Sequence, residues 1–389
     1  MSLTIGVDVG GTKVAVGAVN EQGHIIEKLK RSTPSTSPEQ TAQVVASAIN
    51  EMQSRHQAEA VGIGAAGFVD AIRSSVLFAP NLAWRDEPLK KEIEDRVGLP
   101  VVVENDANAA AWAETILGAG RGHEHVILIA VGTGIGAGIV MNGRLYRGQW
   151  GIAGEPGHYR VVPGGRPCGC GNRGCWEQYA SGNALATEAR ELCRTSPGDA
   201  RRLIELGGGT AEGIRGLGVT QAAQEGDPAA LRCFEIVGGW LGQGLADLAA
   251  ILDPACFVIG GGVSEAGELL ISPARAAFAD GLTGGAYRTR AEIRLAELGA
   301  DAGIIGAADL ARRSLARPSA GTRARAGTRR GLELKPLAQS TAPLSGPSPR
   351  DGLSPRRRTT TANPPTNAMT ASSAAQPGTV QPSIEVRNR

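Results

Sequence analysis

Long hydrophobic runs are missing from this 389-residue chain. No segment offers the roughly 20 consecutive apolar residues that a membrane helix needs. Met1-Ser2-Leu3-Thr4-Ile5 enters a strand pattern directly, without the charged and then apolar segment of a targeting leader. A cytoplasmic protein with no membrane partner is expected. Net charge is also small, at +2, but that figure hides an asymmetry. From residue 316 to the end there are twelve basic and three acidic residues, or +9, which leaves −7 for the rest. The same stretch has no aromatic residue and is rich in Pro, Ser, Thr and Ala. Such a composition buries too little apolar surface to offset its ordering entropy. Residues 314–389 are therefore expected to form a disordered basic tail, with the folded part ending near Arg313. A tail of this charge can touch nucleic acid or acidic surfaces; a dispensable extension is expected, with no specific nucleic-acid partner.

Cysteine is sparse, six in all, and three are gathered in one glycine-rich stretch. Cys168, Cys170 and Cys175 follow a Cys-x-Cys-x4-Cys spacing, with His158 a short loop upstream and Glu155 and Glu177 at the margins. Two disulfides would need four thiols, and Cys168 and Cys170 are too close in sequence to be comfortable partners. Three thiolates and an imidazole suit tetrahedral zinc, and a site closed by four protein ligands is structural rather than catalytic. The intervening glycines let the backbone turn all three sulfurs toward one ion. The whole run reads as a metal site built beside a hydroxyl-binding site. Cys193, Cys233 and Cys256 lie in apolar or helical surroundings and read as buried thiols.

A Walker A loop is absent too, since no Gly-x4-Gly-Lys-Ser/Thr occurs. Phosphate-binding chemistry is present in another form. Residues 3–9 and 14–19 read as the strands of a β-hairpin whose tip is Gly10-Gly11-Thr12-Lys13. Bare backbone N–H groups there, with Thr12 and Lys13 beside them, can cradle phosphate oxygens. Asp8 offers a carboxylate for Mg²⁺. Taken alone, such a hairpin is more often just a turn. The arrangement recurs at residues 126–131, Gly132-Thr133-Gly134 and residues 135–141, which suggests two related halves presenting phosphate-gripping tips to a shared cleft. A third segment, 257–263 with Gly261 and Gly262, reads either as a place where adenine approaches the backbone or as an ordinary strand-to-helix turn.

Between the hairpins, an apolar strand ends in Glu104-Asn105-Asp106 and leads into an alanine-rich helix from Ala107 to about Leu117. Asn105 and Asp106 can cap that helix. They also stand at the carboxyl end of a buried strand, where open α/β sheets bind ligands, and a carboxylate there can accept a hydroxyl proton during phosphoryl transfer. Residues 38–55, 88–97 and 300–313 read as helices, helices dominate 182–252, and 60–67 reads as a strand entering a glycine turn.

Jointly these residues resemble the ROK sugar kinases, and among them the bacterial glucokinases. The resemblance spans about residues 3–313. It rests on Asp8-Val9-Gly10-Gly11-Thr12-Lys13, Glu104-Asn105-Asp106-Ala107-Asn108, Gly132-Thr133-Gly134-Ile135-Gly136, Gly154-Glu155-Pro156-Gly157-His158 and the run from Cys168 through Cys175-Trp176-Glu177. It implies an actin-like ATPase fold of two α/β domains around a cleft. The small domain would cover 1–113, closed by the helix at 300–313, and the large domain would cover 114–299. The resemblance implies Asp106 as the base for a sugar 6-hydroxyl, and Asn105, Glu155, His158 and Glu177 as holders of the other ring hydroxyls. His158 would also bind zinc through its other nitrogen, and Gly67 would line the pocket. ATP, Mg²⁺ and structural zinc are the implied cofactors, and a homodimer or tetramer the implied assembly. The implied reaction is ATP-dependent phosphorylation of an aldohexose, glucose first. N-acetylglucosamine, N-acetylmannosamine, mannose and fructose are the alternative acceptors, and polyphosphate the alternative donor. The family also includes sugar-responsive repressors with a helix-turn-helix ahead of the kinase-like part. Here the first strand opens the chain and Asp8, Thr12 and Asp106 are intact, so a kinase is expected.

Overall fold

Alternating apolar residues make β1 (Leu3–Val9), which pairs antiparallel with β2 (Lys13–Val19) across the glycine tip. β3 (Ile25–Ser32) extends this ladder. The apolar pattern does not announce it, because its Lys, Glu and Arg side chains leave it half exposed. The computed structural model describes residues 2–316. The sequence-based expectations for the basic tail lie outside the described residues, except at 314–316. Helix α1 (Pro38–Gln53), capped by Ser37, returns the chain to β4 (Ala58–Ala65), parallel to β1. The short strands β5 (Phe68–Val69), β6 (Val76–Phe78) and β7 (Arg85–Glu87) form a small antiparallel sheet. Helix α2 (Leu89–Val97) then leads into β8 (Val101–Asn105), parallel to β4. Pro88 is the residue preceding α2 rather than part of its first turn. The first large sheet is ordered β3-β2-β1-β4-β8.

After α3 (Asp106–Ile116) the plan repeats. β9 (Val126–Val131), β10 (Ile135–Met141) and β11 (Arg144–Leu145) are antiparallel neighbours. Helices α4 (Glu177–Ala180), α5 (Gly182–Thr195), α6 (Arg201–Leu206), α7 (Gly216–Gln224) and α8 (Pro228–Leu252) intervene before β12 (Cys256–Gly260). Helix α9 (Glu268–Gly281) crosses to β13 (Glu292–Leu295), and the order is β11-β10-β9-β12-β13. Each sheet is therefore three antiparallel strands extended by two parallel ones, and the duplication signalled by the hairpins extends to whole sheets.

Packing explains how the last helix finds its place. One face of the first sheet is aliphatic: Ile5, Val7, Val61 and Ile63 share a core with Val45, Ile49 and Met52 of α1. On the other face Gly6 and Gly62 are register partners. A β-carbon on either would overlap the carbonyls of Ile304 and Ala307. Only glycine lets α10 (Ala302–Ala316) lie directly on β1 and β4. This helix runs three residues beyond the expected end at Arg313. Trp112 of α3 donates to Asp309 of α10 at 2.9 Å, and Arg312 donates to Thr4 Oγ1 at 2.7 Å. The second sheet packs Ile127, Ile129 and Val131 against Phe234, Val237, Leu241 and Leu245 of α8. Because α3 touches β9 and β10 as well as α10, its amino end lies where the two halves meet. Among the described residues, no helix is long and apolar enough to cross a membrane.

Candidate functional site

Parallel register brings Asp8, Gly64 and Glu104 side by side at the carboxyl ends of β1, β4 and β8. Helix α3 begins there, and the two capping candidates separate. Asn105 is the cap: its Oδ1 accepts from the Asn108 amide at 2.9 Å, while its Nδ2 donates to the Gly67 carbonyl and to Asp106 Oδ1, both at 3.1 Å. Asp106 is the first helical residue, one earlier than the expected start, and its Oδ1 accepts from Ala107 N at 2.9 Å as well as from Asn105 Nδ2. Its carboxyl is pushed up to about 6, by burial first and then by the charge of Asp8, against the pull of the Ala107 amide. Glu155 is pushed up to about 7 by burial, then by Asp106 and Glu177. Burial raises Asp8 as well, opposed by Lys13 and Lys28. Four carboxylates thus share one electrostatic neighbourhood, which favours a cation, hydroxyl donors, or both.

Each glycine tip is held partly from outside its hairpin. Gly10 N donates to Lys13 O at 3.0 Å, and Thr33 Oγ1 donates to Gly10 O at 2.8 Å. At the second tip, Gly132 and Thr133 accept from Gly182 N at 2.8 Å and Asn183 N at 3.3 Å, the first residues of α5. Gly261 lies against the backbone of Val131, so the third glycine segment adjoins the second. Gly262 opens a short 3-10 turn over residues 262–266, and a β-carbon there would meet open space. The segment is a strand-to-turn junction placed beside the second glycine tip. The amino end of α5 carries no motif, only the cap signal Ser181, and sequence reasoning missed it.

The ligand atoms of His158, Cys168, Cys170 and Cys175 all lie within 4.8 Å of one another. Cys170 Sγ and Cys175 Sγ are 3.6 Å apart, as are Cys168 Sγ and His158 Nδ1. A zinc tetrahedron with bonds of about 2.3 Å spaces its sulfurs about 3.8 Å apart, whereas a disulfide is about 2.05 Å. The donor set therefore fits zinc. Trp176, fully buried, fixes the loop: its indole donates to the Trp240 carbonyl at 2.8 Å and packs where Gly244 of α8 leaves room. Glu177 beside it joins two parts of the site. It accepts from the Ile135 amide at 3.3 Å and from the Cys168 thiol at 3.0 Å, and lies 3.7 Å from His158 Nδ1. A β-carbon at Gly134 would collide with that carboxylate. Cys193, Cys233 and Cys256 are buried elsewhere, the last two with thiols pushed up to about 12 and about 11, burial being the main cause.

Two duplicated α/β sheets with glycine hairpins around an acidic cleft define the actin-like ATPase architecture of sugar kinases. The chain belongs to the ROK family, whose model matches residues 4–314. It is 51% identical over 312 residues to a glucokinase of Streptomyces coelicolor, covering 80% of this chain and 98% of that protein. A glucokinase of Thermotoga maritima is 38% identical over 308 residues, covering 79% and 96% respectively. The crystal structure of a ROK family glucokinase from Streptomyces griseus in complex with glucose and AMPPNP is 52% identical, with a TM-score of 0.73 over 80% of this chain and 100% of that one.

Proposed function

We propose that the chain is an ATP-dependent hexose kinase that phosphorylates the 6-hydroxyl of glucose. The observation that carries this reading is Asp106, a carboxylate at the carboxyl end of β8 whose proton affinity is raised to about 6. A base that titrates near the working pH transfers protons efficiently. The similarity to a protein solved with glucose and an ATP analogue supports the same reading.

In this mechanism Asp106 takes the 6-hydroxyl proton as that oxygen attacks the γ-phosphorus in line, and the bond from that phosphorus to the β,γ-bridging oxygen breaks to release ADP. Asn105, Glu155, Glu177 and the Nε2 side of His158 hold the remaining hydroxyls, with Gly67 at the wall. An analogue lacking a hydroxyl would leave a buried polar group unpaired, which gives selectivity. Gly10, Gly11, Thr12 and Lys13 receive phosphate oxygens, as do Gly132, Thr133 and Gly134, while Gly261 and Gly262 border the adenine. Asp8 would hold Mg²⁺, which supplies charge neutralisation on the phosphates when bound. The Cys3His set would hold zinc and keep Glu155, His158 and Glu177 preorganised. We assign residues 1–113 with 300–313 to one lobe and 114–299 to the other, closing to exclude water. The separate cores of the two sheets support that division. Use of ATP and unpaired thiols fit a cytoplasmic enzyme, and we assign a homodimer or tetramer by family.

A coupled assay of glucose, mannose, fructose and the N-acetylhexosamines, each with ATP and with polyphosphate, tests the reading. Glucose with ATP should give the highest kcat/KM; no transfer from ATP to any of these sugars would overturn it. Asp106→Asn should lower kcat by about 10² to 10⁴, with glucose affinity within a few-fold. Appreciable turnover by that variant would remove Asp106 from the role of base.

A further inference from the structure

The residue before the Asn105–Asp106 corner is a buried carboxylate, Glu104, only 1% exposed. Its Oε1 accepts from Asn105 N at 2.9 Å, Asn108 Nδ2 at 3.1 Å and Arg147 Nε at 3.0 Å. Its Oε2 faces Arg73 Nε at 2.9 Å. Two of these donors belong to the capping corner and first turn of α3, so any shift of Glu104 shifts the peptide that carries Asp106. The two arginines come from different places. Arg147 follows β11, the edge strand of the second sheet, whereas Glu104 belongs to the edge strand of the first. Beyond Glu104, the Arg147 fork donates to the carbonyls of Val69, Asp70 and Ala71 at 3.3, 2.8 and 3.1 Å. One side chain from the second half thus grips both the corner and the neighbouring turn of the first.

Arg73 sits in that turn with φ 60, a left-handed conformation that residues with a β-carbon adopt only at a cost. Glycine or asparagine would fit the backbone better, so the position is held for its side chain. Stability alone does not call for such a cluster, because well-packed apolar residues often replace a buried ion pair without loss. What apolar residues cannot supply is direction: the guanidinium fork fixes the carboxylate plane, and the carboxylate fixes the two α3 donors.

We propose that Arg147 and Arg73 are positioning residues that act through Glu104 to aim the Asp106 carboxylate, with Arg147 tying that aim to the arrangement of the two halves. The inference rests on the reading of Asp106 as base, so wild-type ATP-dependent transfer is measured first; its absence would sink the kinase reading. Given an active wild type, Arg147→Lys keeps the charge but cannot serve Glu104 and three carbonyls at once. A misplacement of about 1 Å costs up to about a hundredfold. We expect kcat to fall ten- to a hundredfold by about that argument, with calorimetric glucose affinity within about threefold and the melting temperature nearly unchanged. Glu104→Gln should show the same split between kcat and binding. If Arg147→Lys does not fold, Arg73→Lys, which acts on the other carboxylate oxygen, carries the same expectation. Wild-type kcat in the folded variants, or a loss of kcat matched by the loss of folded protein, would overturn the proposal.

Discussion

Asp106 shows how one residue couples folding and catalysis in opposite senses. Its carboxyl ordinarily titrates near 3.8 and is raised to about 6 in the folded chain, by burial and then by Asp8. The folded state therefore holds a proton that the unfolded chain has released. The stability contributed by this group is fully present below 3.8 and is lost as pH rises through about 6. Catalysis runs the other way, because a base must be ionised. We expect kcat to fall about tenfold per pH unit on the acid side of a midpoint near 6, with glucose affinity falling less. A kcat profile that is flat between about pH 5 and 7 would contradict the assignment. The Asn105–Asp106 pair was legible as a ligand-binding corner. Which of the two caps the helix was not, since both residue types cap well and the choice depends on Gly67, 38 residues away in sequence.

At the scale of elements, the loop between Glu155 and Glu177 was the most readable part of the chain. Metal ligands must come as a set, and their chemistry survives in the spacing whatever lies around them. Its anchor was not readable. Trp176 is an apolar residue whose partners, Trp240 and Gly244, lie on α8, 64 or more positions later, and only folding brings them together. Glu177 likewise read as a hydroxyl ligand, while its contacts with Ile135 and Cys168 also make it a brace between the second hairpin and the thiols. We expect one zinc per purified chain. Cys170→Ser should lose metal, thermal stability and sugar affinity together, because the ligand set and the sugar groups share one loop. Elemental analysis of a metal-free yet fully active enzyme would defeat this.

For the molecule as a whole, α10 is the last element among the described residues. Arg313 lies over the Trp112 ring at 5.0 Å and pairs with Asp309 at 2.6 Å, so α10 still touches α3 there, while Arg313, Ser314 and Leu315 are themselves exposed. A chain ending at Ala316 should keep the kcat and melting temperature of the full chain, since the composition beyond it favours little burial. A large loss in either would show that the basic segment packs on the enzyme.

Sequence by itself determined what depends on neighbours within a few residues: the glycine hairpins, the Cys3His spacing, and the strand ending in Glu104-Asn105-Asp106. These are short-range because backbone conformation and ligand type are local properties. Tertiary structure decided the rest: that α10 lies on the glycine face of the first sheet, that Gly261 meets Val131, and that Arg147 from the second half closes on Glu104 of the first. Each depends on burial and on charges brought together across the fold. The Asp106 carboxyl rises because burial and Asp8 surround it in space, and no spacing along the chain records those surroundings.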